Sequence, residues 1–399
     1  MLPFLLIAAT ASASGPPIDA FFAPYDISAT IGSSISALQT DLALVQVVVA
    51  ARKAFDRSGT SAAPSNAFSI YFCVYNLLDP SYVQPLIAAA KAGVKVQVLM
   101  DAKNLEKPYV HTYDWFRNAS LKVAPTRNTT QRDLTKDERR DLNLLGIKMS
   151  GLMHMKLRAF SWLATPTAPN ATRVVVSGSF NPEDGALRNE DTLLVVHDAP
   201  IIDAYMRAYV AVRDDEPYVN EYEPSSALNL LYSRGSKRPA ADGEIREEIK
   251  ALSATEVTDT TIMTSTSEPP LMAREVLLDL VRNETELILL SVYSLRNVAD
   301  RRGTLVDALC AAVHRGVAVA VLVDKGQADG ESGFAGGDSS LTALHLWKSC
   351  GVPVYKCKNY AGRVNALHHK NALFGVKKRR IVWTDTANWS SSSMGNGTS

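Results

Sequence analysis

Several things are scarce in this sequence, and each scarcity excludes something. Charge of one sign is missing: 42 Lys and Arg stand against 41 Asp and Glu in 399 residues, a net charge of +1. Tight non-specific binding to nucleic acid calls for a strongly basic face, so its simplest form is excluded, while a local basic cleft is not. Beyond the first residues no apolar run is long enough to cross a bilayer, which predicts no transmembrane span in the mature chain. Cysteine is rare, at Cys73, Cys310, Cys350 and Cys357 only, and no spacing of Cys and His reads as a zinc site. Cys73 falls in an apolar strand and Cys310 in an apolar helix, where buried thiols are expected. Cys350 and Cys357 could pair in an oxidising compartment.

What is present begins at the N-terminus. "MLPFLLIAATASASG" has a short apolar core, Leu2 to Ala9, and a small-x-small site at Ala11-Ser12-Ala13. Residues 1–13 therefore read as a signal peptide, although no Lys or Arg precedes the apolar core. Six N-x-S/T sequons, at Asn118, Asn128, Asn170, Asn283, Asn388 and Asn396, fit a secretory route. The expected location is secreted or within the endomembrane lumen. The length allows two domains or one large α/β unit.

The chain repeats itself. Residues 70–101, "IYFCVYNLLDPSYVQPLIAAAKAGVKVQVLMD", parallel residues 288–324, "ILLSVYSLRNVADRRGTLVDALCAAVHRGVAVAVLVD". Each copy opens with an apolar strand ending in V-Y, at Tyr75 or Tyr293. Each continues with an Ala- and Leu-rich helix that stops at Gly93 or Gly316, as a helix with a C′ glycine does. Each then runs G-V-x-V-x-V-L-x-D into Asp101 or Asp324. This is the βαβ unit of a parallel sheet, duplicated. A helical segment precedes each copy, near 33–55 and 271–284.

Behind each unit comes H-x-K: His154 and Lys156 in "GLMHMKLRAF", His368 and Lys370 in "ALHHKNALF". In a strand, residues i and i+2 share a face, so an imidazole and an ammonium point the same way. A hairpin and a second strand follow each time. The first ends in "SGSFN", with Gly178, Ser179 and Asn181; the second ends in "TDTAN", with Asp385, Thr386 and Asn388. Either motif alone is unremarkable; both, in order, twice, behind the same unit, are specific.

This pattern resembles the phospholipase D superfamily, whose motif is H-x-K-x4-D-x6-G-S-x-N, and the resemblance runs from about residue 65 to the C-terminus. It implies an α/β fold: two tandem phospholipase D-like α/β(α) sandwich halves with mixed sheets, related by a pseudo-two-fold axis, sharing one site. It implies that one His attacks phosphorus, forming a phosphohistidine, while the other protonates the leaving alcohol and then activates water, with no metal and no cofactor. Carried over by position, the catalytic set is His154, Lys156, Asn181, His368, Lys370 and Asn388, with Ser179 and Thr386 as substrate-binding hydroxyls. The lysines and asparagines would donate to the non-bridging oxygens as charge builds on them. By analogy His154 is the nucleophile and His368 the acid; the sequence by itself does not separate the two. The acid that orients a catalytic His is expected at Glu190, with Asp191 beside it.

The sequence also departs from the family. Ser161 and Gly375 replace the motif Asp. Asp385 puts a carboxylate near an anion site, and no acid follows Asn388. The expected organisation is half 1 over 14–222, a linker over 223–258 around "SRGSKRPAADGE", and half 2 over 259–399. Half 2 stops mid-domain, without counterparts of "DTLLVVHD" and the helix after it, as in a fragment or a truncated product. The implied substrate is a phospholipid or another phosphodiester, reached by peripheral membrane contact. A nuclease with the same chemistry is the alternative, and a non-catalytic phosphate binder is a third reading. Hydrolysis and transfer to an alcohol both remain open at this level.

Overall fold

The computed structural model describes residues 18–22, 37–59, 66–149, 153–163, 172–182, 191–217, 219–225, 229–234, 273–300, 302–329, 337–357, 366–375, 381–384 and 388–389. The expected signal segment, Glu190, Asp385, Thr386 and the sequons Asn170 and Asn396 lie outside them.

The first half is built on a seven-stranded mixed sheet. Its strands are β1 (Ile18–Phe22), β2 (Ser69–Val74), β3 (Lys95–Asp101), β4 (Leu144–Ile147), β5 (Lys156–Trp162), β6 (Thr172–Gly178) and β7 (Thr192–Val196), in the order β1-β7-β6-β5-β2-β3-β4. Strands β2, β3 and β4 run parallel, and β5 lies antiparallel to β2. The helices are α1 (Ala37–Arg57), α2 (Pro80–Lys91), α3 (Ala102–Leu105), α4 (Thr112–Asn118), α5 (Lys136–Asp141) and α6 (Ala199–Arg213). Helix α2 starts where its sequence says it should: the Asp79 carboxylate caps Ser81 N–H and Pro80 fills the first position. It ends before Gly93, whose φ of +81° only glycine adopts cheaply; Gly316 matches it in the second half at +88°.

A hairpin, β8 (Val219–Pro224) with β9 (Asn229–Arg234), follows α6. Residues 223–224 and 229–234, expected in the linker, are thus strand residues, and Leu230 packs into the core of the first half.

The second half contains α7 (Ala273–Asn283), β10 (Leu287–Val292), the short pair β11 (Ala299–Asp300) and β12 (Gly303–Thr304), α8 (Leu305–His314), β13 (Ala318–Asp324), α9 (Lys325–Asp329), α10 (Gly337–Cys350), β14 (Val354–Cys357), β15 (Lys370–Phe374) and β16 (Ile381–Thr384). Its sheet order, β14-β13-β10-β15-β16, repeats β4-β3-β2-β5-β6 of the first. Counterparts of β7, β1 and α6 are absent among the described residues. The duplicated βαβ units are therefore duplicated in space, each with an antiparallel H-x-K strand added on the same side.

The two sheets are buried differently. In the first, α1 and α2 cover one face, and α6 with β9 covers the other. Strand β2 is accordingly buried at every position, which suits its unbroken apolar run. Among the described residues the second sheet packs α7 and α8 on one face, so β10 alternates and Leu289 is 39% exposed.

Inside the first half, Arg158 of β5 and Asp41 of α1 form an ion pair at 3.0 Å with both side chains almost fully buried. Burial raises the Asp41 carboxyl to about 6 against the pull of Arg158. Arg158 also donates from Nη1 to the Phe180 carbonyl at 3.3 Å, so α1, β5 and the "GSFN" turn are tied at one point.

The cysteines differ from expectation. Cys310 of α8 is bonded to Cys350 at the end of α10, with Cα atoms 5.3 Å apart. The pairing Cys350–Cys357 does not form, and Cys310 is not a thiol. Periodicity places Cys310 on an apolar helix but says nothing of which helix lies against it. Alkylation in denaturant without reductant should label Cys73 and Cys357, with Cys310 and Cys350 reacting only after reduction. Reduction should cost about 2–4 kcal/mol of stability in thermal unfolding. A peptide map joining Cys350 to Cys357 would contradict this connectivity.

Candidate active site

The two H-x-K segments occupy the same register. Val74, the last residue of β2, pairs with Lys156, and Val292, the last residue of β10, pairs with Lys370. Both motifs therefore stand at the C-terminal edge of the parallel strands, where open α/β sheets form their ligand crevice. Each strand begins at the lysine, and the histidine sits in the segment just before it.

The lysines are both 0% exposed. Lys156 Nζ donates to the His154 carbonyl at 3.0 Å, and Lys370 Nζ donates to the His368 carbonyl at 2.7 Å. Each ammonium is thereby held beside its own imidazole. Tyr75 packs against His154 with ring centroids 5.2 Å apart, and Tyr293 packs against His368 at 5.0 Å. Lys370 also stands 5.5 Å from the Tyr293 ring centroid, a cation–π contact. The repeated V-Y of the sequence thus supplies one aromatic wall for each histidine.

The "GSFN" turn brings the remaining groups. Gly178 has φ of +124°, and a Cβ there would lie 2.1 Å from the Thr192 carbonyl oxygen. Glycine is needed because β7 passes directly behind it. Ser179 N–H donates to that same carbonyl at 2.9 Å, and its hydroxyl donates to Asp191 Oδ1 at 2.6 Å. Ser179, expected to bind substrate, instead holds a carboxylate. Asn181 and Asn388 each have a buried side-chain oxygen with no hydrogen-bond partner.

The carboxylate held by Ser179 reaches across to the other half. His368 Nδ1 lies 2.8 Å from Asp191 Oδ1. The acid seen to meet a motif histidine is therefore Asp191; Glu190, one residue before it, lies outside the described residues. The neighbouring residues reinforce this seam: Thr192 Oγ1 lies 2.9 Å from His369 Nδ1, and Asn371 Nδ2 donates to Thr192 Oγ1 at 2.8 Å. Asp191 and Thr192 of one half thus grip His368, His369 and Asn371 of the other. Nothing in the sequence marked Thr192, His369 or Asn371; the doublet of acids was visible, but not that Asp191 meets His368.

Electrostatics follow from burial. Burial pushes the Asp191 carboxyl up, yet His368, Lys370 and the Ser179 hydroxyl together hold it below the usual carboxylate range. His368 is pushed down by burial, then by Lys370, with Asp191 opposing and Lys156 of the other half adding to the push. Both lysines therefore act on one imidazole, which places the two motifs in one field. Burial lowers His369 to about 4. The resting pair is a carboxylate facing a neutral imidazole whose proton sits on Nδ1, leaving Nε2 with a lone pair.

A sequence model of the family described as "Cardiolipin synthase, PLD-like domain" matches residues 63–211 and 277–398. The chain belongs to the phospholipase D superfamily. No curated protein matches the sequence. Among solved structures, polyphosphate kinase from Porphyromonas gingivalis is 15% identical with a TM-score of 0.44, over 98% of this chain and 51% of that one. This chain thus spans about half the length of that protein. Phosphatidylserine synthase from Haemophilus influenzae is 12% identical, TM-score 0.44, over 93% of this chain and 76% of that one. Nuc of Salmonella typhimurium, a phospholipase D family member, is 17% identical, TM-score 0.29, over 49% of this chain and 92% of that one.

Phospholipase D superfamily enzymes act on phosphodiester bonds. Within this chain, Asp191 and Thr192 of the first half meet His368, His369 and Asn371 of the second at one seam. Asp191→Asn tests the cross-half bond. Asparagine keeps the shape but stops holding the Nδ1 proton as a carboxylate does, so phosphodiesterase kcat should fall by about 10²–10⁴-fold with the fold intact. An Asp191→Asn chain with wild-type kcat would exclude this role, whereas the same change at Glu190 should have little effect.

Proposed function

We propose that the chain is a metal-independent phosphodiesterase of the phospholipase D type, hydrolysing a phospholipid phosphodiester through a phosphohistidine intermediate. The observation that carries this reading is the Asp191–His368 hydrogen bond across the halves, with Lys156 and Lys370 buried beside it. The two ammoniums buried beside the histidines would pair with the negative charge that a phosphodiester brings.

His154 is the proposed nucleophile. Lys156 Nζ lies 2.9 Å from His154 Nδ1 and 3.3 Å from Nε2, and since an ammonium only donates, the lysine has to release the ring lone pair before it can attack. Once released, the His154 nitrogen attacks phosphorus, the bond from phosphorus to the leaving oxygen breaks, and that oxygen takes a proton from His368 Nε2. Water then gives a proton back to His368, and its oxygen displaces the His154 nitrogen. The products are an alcohol and a phosphate monoester. His368 has to carry a second proton for the first step. In the empty site both lysines oppose this. A bound phosphodiester anion cancels their field, and Asp191 then stabilises the imidazolium. Asn181 and Asn388 donate to the non-bridging oxygens in the crowded transition state.

The family's description as a cardiolipin synthase, PLD-like domain supports a phospholipid substrate taken up by peripheral contact with a membrane. One observation favours a nuclease instead. Tyr109, on the stretch after β3 at the His154 end of the sheet, is 62% exposed, with Lys107 Nζ 5.9 Å from its ring centroid. An exposed aromatic beside a cation is a stacking platform for a single-stranded base. A secreted or lumenal location is supported by the Cys310–Cys350 bond and by the exposure of Asn118, Asn128 and Asn283. The proposed arrangement is half 1 from 14, extended past 222 through β9 to 234, and half 2 over 259–399.

The test is turnover of bis(p-nitrophenyl) phosphate by the purified chain in excess EDTA, beside His154→Ala and His368→Ala. Turnover should survive EDTA and fall by about 10³-fold or more in each variant. Loss of turnover in EDTA, or retention in both variants, would contradict the reading. An inactive but phosphate-binding chain would point to the non-catalytic relative. Phospholipid vesicles against single-stranded DNA then separate the two substrates.

A further inference from the structure

The strands β3 and β13 end in Asp101 and Asp324, which the motif chemistry leaves unused. Both are buried, and both do the same two things. One oxygen accepts from the backbone of the short helix that follows: Asn104 N–H to Asp101 Oδ1 at 3.3 Å, and Gln327 N–H to Asp324 Oδ1 at 2.9 Å. The other oxygen accepts from the residue directly before each motif histidine: Met153 N–H to Asp101 Oδ2 at 2.9 Å, and Leu367 N–H to Asp324 Oδ2 at 3.1 Å.

The short helices complete a circuit. Asn104 Nδ2 donates to the Tyr75 carbonyl at 3.1 Å, and Gln327 Nε2 donates to the Tyr293 hydroxyl at 3.0 Å. Those are the tyrosines whose rings pack on His154 and His368. Each aspartate thus fixes the backbone on one side of an imidazole and, through its helix, the aromatic wall on the other. A helix cap alone needs one acceptor, and here the second acceptor is spent on a chain segment about 50 residues away in the first half and about 40 in the second.

We infer that Asp101 and Asp324 are positioning residues for the two histidines, each acting on the histidine of its own half. The inference rests on the two-histidine reading above. Aspartate suits the task because it offers two acceptors on a short stem. Asparagine would turn its amide hydrogens toward one of two N–H donors. Serine would keep a helix cap but fall short of Met153 or Leu367.

The test uses the full chain with Asp101→Asn, Asp101→Ser, Asp324→Asn and Asp324→Ser. Asp198→Ala serves as the comparison, since it removes another aspartate cap, that of α6 on Ile201 N–H, at the end of β7 remote from Asp191. The first readout is NMR titration of the imidazole resonances of His154 and His368. The Asp101 variants should move His154 and leave His368 in place; the Asp324 variants should do the converse. The second readout is turnover of bis(p-nitrophenyl) phosphate. Here kcat should fall about 10- to 100-fold at nearly constant KM in the Asp101 and Asp324 variants, beyond any loss of folded protein. Asp198→Ala should lower the melting temperature and keep kcat. Unmoved resonances in folded variants, or a kcat loss that only tracks the folded fraction, overturn the inference. If the parent chain proves inactive, the two-histidine reading fails, and the half-specific movement of the imidazole resonances still decides the positioning role.

Discussion

The Asp191 carboxylate accepts a hydrogen bond from an imidazole that belongs to the other half of the chain, and much of the site is built around that bond. A carboxylate buried alone would be costly. Here Ser179 and His368 satisfy one oxygen of Asp191, and two buried ammoniums lie nearby. The same arrangement makes Gly178 obligatory, since β7 can bring Asp191 forward only by passing where a Cβ would stand. Arg158 supports the turn from behind by holding the Phe180 carbonyl. A local hydrogen bond thus draws on β5, β6, β7 and α1 at once.

Duplication gives the site two nearly equivalent ends. Each has an H-x-K segment in the same register, a tyrosine on the imidazole and an aspartate behind it. The equivalence is incomplete where chemistry needs it to be. His368 has a carboxylate on Nδ1, whereas His154 has an ammonium at the same atom. One imidazole is thereby suited to hold a second proton when an anion binds, and the other faces a donor that an arriving phosphate can draw away. Opposite environments on identical side chains are how one site can run acid and nucleophile together.

Much of this was legible in the sequence because it repeats. The G-V-x-V-x-V-L-x-D runs located the parallel strands, Gly93 and Gly316 located the helix ends, and the order of H-x-K and G-S-x-N pointed to the family. Other features were not legible, for physical reasons. Strands β2 and β10 have similar apolar runs, yet among the described residues one is covered on both faces and the other on one, because burial depends on α6 and β9 far along the chain. That Asp191 meets His368 depends on how the two halves face each other, which the acid doublet does not encode. Cys310 met Cys350 because α8 packs on α10, a tertiary fact that spacing does not encode. Thr192, His369 and Asn371 are ordinary residues whose meaning comes only from facing one another.

The central claim is that two sequence copies make one catalytic site. A double-mutant cycle on phosphodiester turnover, using His154→Ala, His368→Ala and the pair together, addresses it most directly. One shared site predicts full non-additivity: the double variant should be no slower than either single one, as for residues that act as a unit. Two independent sites would leave each single variant with roughly half of the parent rate and only the double variant inactive, and that result would contradict the account.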